Sequence, residues 1–209
     1  MKQLDILGKL FGSLVRVKLM KVFLLNQETV CTLEDLALRL RVKPRVIKED
    51  LALLVRIGFV KPKSLVKIIV KKKSSIRKKM KGFVMNKDFL LEESLRGLLV
   101  DSSSMHVQEL PSRFSKAGKM SLFIVSGMFL HDEDRSLDLM IVGDRLDRKL
   151  IDRKIKELES EIGKELRYSV FDTSEFMYRL NMYDKLLRDV LDYPHEKLIN
   201  KIDHPELRR

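Results

Sequence analysis

The hydrophobic and polar positions along the chain change rhythm once, near residue 120, and each rhythm predicts its own elements. Residues 14–25, LVRVKLMKVFLL, are dense in apolar side chains and lack Gly and Pro, which predicts a largely buried helix ending near Asn26. Thr32 is placed to cap a second helix running to about Arg41. In RVKPRVIKEDLALLVRIGFVKPK, Pro44 suits the first turn of a third helix and Gly58 its end. A turn of about 100° per residue puts Ile47, Asp50, Leu51, Leu53, Leu54 and Ile57 on one side, with Arg45, Lys48, Glu49, Ala52 and Arg56 on the other. SLVKIIV at 64–70 and GFVMN at 82–86 read as antiparallel strands, and KDFLLEESLRGLLV as an amphipathic helix. The polar, serine-rich DSSSMHVQELPSR at 101–113 reads as a linker.

Beyond Met120 strands and helices alternate. SLFIVSG at 121–127 and SLDLMIVG at 136–143 are predicted strands joined by the acidic turn HDED at 131–134. An amphipathic helix at 147–163 precedes a third strand, LRYSVF, at 166–171. Helices at about 173–180 and 183–191 lead into a charged tail. Strand, strand, helix, strand predicts a small α/β sheet of mixed direction, and the whole chain reads as α+β.

Charge sharpens this division. The 209 residues carry a formal net charge of +12, but residues 1–100 hold 23 Lys+Arg against 9 Asp+Glu, and residues 101–209 hold 19 against 21. A surplus of +14 in one half implies attraction to polyanions there. Seven of the eleven residues in KKKSSIRKKMK at 71–81 are Lys or Arg. Placed between two strands that follow a helix-turn-helix pattern, this run predicts a winged helix with a basic, flexible tip to the wing. The expected DNA contacts are Arg45, Lys48 and Arg56 on the third helix, with Lys71, Lys72, Lys73, Arg77, Lys78, Lys79 and Lys81 on the wing.

In the second half the strand, Gly-containing turn, second strand with Asp, helix and third strand resembles the minimal nucleotidyltransferase fold. That resemblance implies a Gly-Ser turn for the triphosphate and an Asp-x-Asp pair for two magnesium ions, with a further carboxylate from a later strand. Gly127 stands at the glycine, but Met128 follows it where the serine belongs. Ser136-Leu137-Asp138 stands at Asp-x-Asp, so only the second carboxylate remains, and LRYSVF contains none. From LFGSLVRVKLMKVFLLN through EESLRGLL to VLDYPHEKLI the chain resembles winged helices fused to nucleotidyltransferase-like domains. The motif Gly127, Ser136 and Asp138 is then vestigial, leaving the domain to dimerisation, sensing or partner contact.

These expectations divide the chain into a winged helix at 1–86, a connecting helix and linker at 87–114, a nucleotidyltransferase-like domain at 115–200 and a charged tail at 201–209. The function expected is a transcriptional regulator binding double-stranded DNA, as a monomer or homodimer, without catalytic residues, metal or cofactor. The alternative is an active magnesium-dependent nucleotidyltransferase built on Asp138 with help from Glu165 or Asp172, and a third reading gives the basic surface to structured RNA. No apolar window approaches a membrane span, and the N-terminus lacks the order of a signal peptide, so a cytoplasmic protein is expected. The single cysteine, Cys31, reads as a buried thiol. The acidic turn His131-Asp132-Glu133-Asp134 reads as a solvated loop, and His106, His195 and His204 as surface or packing residues. Glu175 and Arg179 could flank a pocket, but Phe176 and Leu180 at i, i+4 read as core. The methionines, scattered along the chain, suggest adaptable packing.

Overall fold

The computed structural model describes residues 3–71, 74–101, 107–130, 132 and 134–208. It is a mixed α+β structure with two small sheets and, among the described residues, nine α-helices. The chain separates into two compact units, Met1–Ser103 with Glu157–Lys164, and Ser104–Lys156 with Glu165–Arg209. No helix among the described residues is long and apolar enough to cross a membrane.

In the first unit, α1 (Gln3–Leu10) precedes α2 (Leu14–Leu25), whose N-cap Ser13 accepts from the Arg16 N–H at 3.2 Å. Val17, Leu19, Met20, Val22, Phe23 and Leu24 are all buried, so α2 is covered nearly all round, as the apolar density of its sequence requires. The short β1 (Cys31–Thr32) leads directly into α3 (Leu33–Leu40). Thr32 caps it reciprocally: its hydroxyl accepts from the Asp35 N–H at 3.2 Å, while Asp35 accepts from the Thr32 N–H at 3.0 Å. After a left-handed residue at Arg41, α4 (Pro44–Arg56) begins with Pro44 in its first turn.

The end of α4 depends on Gly58 at φ +78°. Phe59 N–H donates to the Leu54 carbonyl at 2.9 Å and Gly58 N–H to that of Val55 at 3.0 Å, the two bonds of a Schellman turn. This turn also corrects one expectation from the helical period. Ile47, Asp50, Leu51 and Leu54 do face inward, but Ile57 is half exposed because the chain reverses just after it, and Phe59 supplies the buried side chain instead.

β2 (Val60–Lys71) and β3 (Ser74–Met85) form one long antiparallel hairpin in continuous register from Val60↔Met85 to Lys71↔Ser74. The sheet order is β1-β3-β2. The loop expected at 71–81 is therefore largely strand: residues 74–81 belong to β3 and carry ladder hydrogen bonds rather than forming a tip. Lysine is poor at breaking a strand when its long side chain can reach solvent, and Met80 and Val84 supply apolar positions on one face. After β3, residues 87–91 turn, and the expected amphipathic helix begins only at α5 (Glu92–Arg96) and continues as a π-helical turn, Gly97–Asp101. This segment packs into the first unit: the Arg96 guanidinium donates to the Leu24 carbonyl at 2.5 Å, and Leu99 is fully buried in the same core.

In the second unit, part of the expected linker is folded. Residues 102–106 lie outside those described, but a 3-10 turn at 107–109 and α6 (Leu110–Phe114) follow, with Leu110 and Phe114 buried and Phe114 packed 5.6 Å from the Phe123 ring. The sheet contains β4 (Met120–Val125), β5 (Leu139–Gly143), β6 (Tyr168–Phe171) and β7 (Glu196–Asn200), in the order β6-β5-β4-β7. β4 and β5 are antiparallel, whereas β5 and β6 are parallel and connected by α7 (Arg148–Ile162), since parallel neighbours need a crossover. All five residues of β5 are buried, as befits a central strand. α8 (Thr173–Asn181) and α9 (Lys185–Leu191) bring Phe176, Leu180, Leu187 and Val190 into one core with Leu122, Ile124, Met140 and Val142.

The end of the chain departs from the expected charged tail. β7 adds a fourth strand antiparallel to β4, and Leu207 is buried while its carbonyl accepts from Lys197 Nζ and Asn200 Nδ2. Charged and apolar residues alternate weakly in HEKLIN, so only pairing with β4 makes this segment a strand.

Candidate nucleic-acid interface

The first unit holds α4 by a charged anchor on its buried side. Asp50 lies only 7% exposed, and its carboxylate accepts from the Ser13 hydroxyl at 2.5 Å and from Arg16 Nε at 2.9 Å, with the second guanidinium nitrogen at 2.8 Å. Arg16 also donates to the Phe11 carbonyl at 2.6 Å. A carboxylate on the apolar face of a helix requires such partners, and this one fixes the rotation of α4 against α2. Arg16 was not singled out from the sequence. Its signal was the lone charge of Asp50 among inward-facing positions.

With that side fixed, Arg45, Lys48 and Arg56 emerge on the opposite side, all exposed. Among the described residues none of the three is assigned an ion pair. Arg45 and Arg56 are eleven positions apart, so these cations span about 16 Å along the helix, with the exposed Glu49 between them. Arginine there can donate two parallel hydrogen bonds to a planar acceptor such as a guanine edge or a phosphate, and Lys48 supplies a point charge.

The hairpin brings further cations beside it. Arg77, Lys78, Lys79 and Lys81 are exposed on β3, with the Lys81 ammonium 5.7 Å from the Phe83 ring centroid. Lys72 and Lys73, and the side chain of Lys71, lie outside the described residues. At the hairpin root, Lys61 pairs with Asp88 at 2.9 Å and Lys87 pairs with Glu28, so cations near the root are neutralised while those farther along are not offered a described carboxylate.

Two of the three motif residues of the second unit, Gly127 and Asp138, come together, and Asp138 is held by an arginine. Asp138 is 1% exposed, and each of its oxygens is doubly engaged. Oδ1 accepts from the Met128 N–H and the Arg167 guanidinium, both at 2.9 Å; Oδ2 accepts from the Arg167 N–H at 2.9 Å and from Arg167 Nε at 3.1 Å. Burial by itself would raise this carboxyl, yet the Arg167 guanidinium and the two backbone N–H groups outweigh burial and hold it below the usual aspartate range. Gly127, at φ +56°, is required by the same carboxylate: a Cβ there would overlap Asp138 Oδ1 and come within 2.9 Å of the Leu137 carbonyl. Arg167, at the edge of the third strand, was not picked out from the sequence.

Ser136 serves a different contact. Its hydroxyl and its backbone N–H, the latter at 2.8 Å, donate to Asp189 and lower that carboxyl. Arg135 lies over the Tyr193 ring at 3.9 Å and pairs with Asp132 at 2.9 Å. His131 and Glu133 of the acidic turn, with His106, lie outside the described residues. Glu165 is exposed; Asp172 sits beyond the far end of β6, about 16 Å of extended chain from Arg167, where it pairs with Arg148 at 3.6 Å. Phe176 and Leu180 are core, while Glu175 and Arg179 pair with each other at 3.0 Å. His195 Nδ1 contacts the Tyr193 carbonyl, and His204 caps the turn at Glu206. Among the described residues no group of three or more His, Cys, Asp or Glu is placed to hold a metal ion. Cys31 is a buried free thiol.

No protein-family model matches this chain, and comparison with curated proteins and with solved structures gave no match. The functional reading therefore rests on these residues and their arrangement.

Proposed function

We infer that the protein is a DNA-binding transcriptional regulator whose first unit is a winged helix, with α4 as recognition helix and the β2–β3 hairpin as wing. One observation carries this reading: α4 exposes Arg45, Lys48 and Arg56 from an anchored helix beside a long cation-rich hairpin, in a unit that runs helix, strand, helix, helix, strand, strand from α2 to β3. A helix of this kind fits the major groove of B-DNA, with phosphates held by the flanking cations. The second unit is read as a nucleotidyltransferase-like domain without its chemistry. The engagement of Asp138 by Arg167 supports that reading, because a carboxylate whose acceptor positions are filled by a guanidinium and two amides offers little to a divalent cation. Dimerisation, ligand sensing and partner contact are the roles proposed for it, and a homodimer on a two-fold symmetric site is the assembly proposed.

The test is competition between duplex DNA and duplex RNA at matched salt, with wild type and an Arg45→Ala, Lys48→Ala, Arg56→Ala variant. Preference for DNA, weakened at least tenfold in the variant, is expected. Equal or better RNA binding would contradict the reading, because the deep, narrow major groove of RNA does not admit α4.

A further inference from the structure

The register of the hairpin separates cations that are neighbours in sequence. Residues directly opposite on antiparallel strands share a face, so Ser64 and Lys81, and Val66 and Lys79, occupy one face, which Arg77 shares two residues along β3 from Lys79. Lys78, opposite Lys67, occupies the other. Followed towards the root, the face of Arg77, Lys79 and Lys81 continues through Phe83 to Met85 and Val60. Met85 and Val60 are buried in one core with Ile47, Leu51 and Leu54 of α4, and Phe83 packs against it. The Lys81 ammonium beside the Phe83 ring agrees with this assignment. Arg77, Lys79 and Lys81 thus stand on the side of the sheet that carries α4, whereas Lys78 stands on the reverse.

We propose that the wing meets duplex DNA with this one face, Arg77, Lys79 and Lys81 each neutralising a separate phosphate of the backbone, and that Lys78 takes no part. This rests on the proposed DNA-binding function and narrows its wing contacts. Alternate residues of a strand are about 6.7 Å apart, and each strand of B-DNA carries one phosphate per about 3.4 Å of axis, so one file of cations can meet separate phosphates. Val66, 61% exposed opposite Lys79, leaves the middle of the file open to a partner.

The experiment compares Lys79→Gln with Lys78→Gln in the intact protein, adjacent residues losing the same charge on opposite faces. The probe is random-sequence duplex DNA over a salt series. Lys79→Gln is expected to reduce the steepness of log affinity against log salt by about 0.9, and the triple variant Arg77→Gln, Lys79→Gln, Lys81→Gln by about 2.7, with Lys78→Gln unchanged. Equal effects of the two single variants, or no effect of either, would overturn the one-faced contact while leaving DNA binding intact. Failure of the unmutated protein to bind duplex DNA would instead defeat the functional reading itself.

Discussion

Asp138 shows how one residue's surroundings determine what it can do. Its carboxylate is buried, so its charge is tolerated only because Arg167 and two backbone N–H groups surround it. Replacing Arg167 with alanine removes the guanidinium but keeps both backbone N–H donors, and because the Arg167 side chain is 44% exposed the expected cost is about 1–3 kcal/mol of stability, measured by denaturant unfolding. A loss below about 1 kcal/mol would mean that the pair is dispensable. The acid limb carries a second expectation. Because the folded carboxyl lies below its unfolded value of about 3.9, its contribution is complete above that value and disappears as the pH falls through the lower folded value. Asp138→Asn should therefore be less stable than wild type at neutral pH, with the difference shrinking below about pH 4. A difference that stayed constant into acid would contradict the charged pairing.

At the scale of elements, the hairpin depends on a glycine where three strands meet. A Cβ on Gly82 would lie 2.6 Å from both Leu65 Cδ2 and Val30 Cγ1, so Gly82→Ala is expected to cost about 1–3 kcal/mol and to loosen β1 from β3. Faster amide exchange at Cys31 and Thr32 would report this, and unchanged exchange would argue against it. Helices were read most directly from the sequence, because their signals are local: α2 from its apolar density and lack of Gly and Pro, α3 from Thr32, α4 from Pro44 and Gly58. β7 and the length of β3 were not readable, since both depend on pairing rather than on local pattern: β7 on the sequence-distant Leu122–Val125, and β3 on residue-by-residue register with Val60–Lys71 across the hairpin. The candidate site divides in the same way. Exposure of Arg45, Lys48 and Arg56 follows from helical period alone, but Arg16 and Arg167 became visible only when folding placed each beside a buried aspartate.

For the whole molecule, the proposed function puts its uneven charge to work on duplex DNA. The second unit adds little to that attraction, since its half of the sequence is close to neutral. An assay of magnesium-dependent nucleotide transfer by the intact protein is accordingly expected to show none, and transfer lost on Asp138→Ala would restore the enzymatic reading. The most direct measurement is the affinity of the intact protein for random-sequence duplex DNA between low and physiological salt. If the three cations of α4 and the three of one wing face each neutralise a phosphate, log affinity should fall against log salt with a slope of about −5, at about −0.9 per phosphate. A slope near zero, or no binding at low salt, would contradict the account.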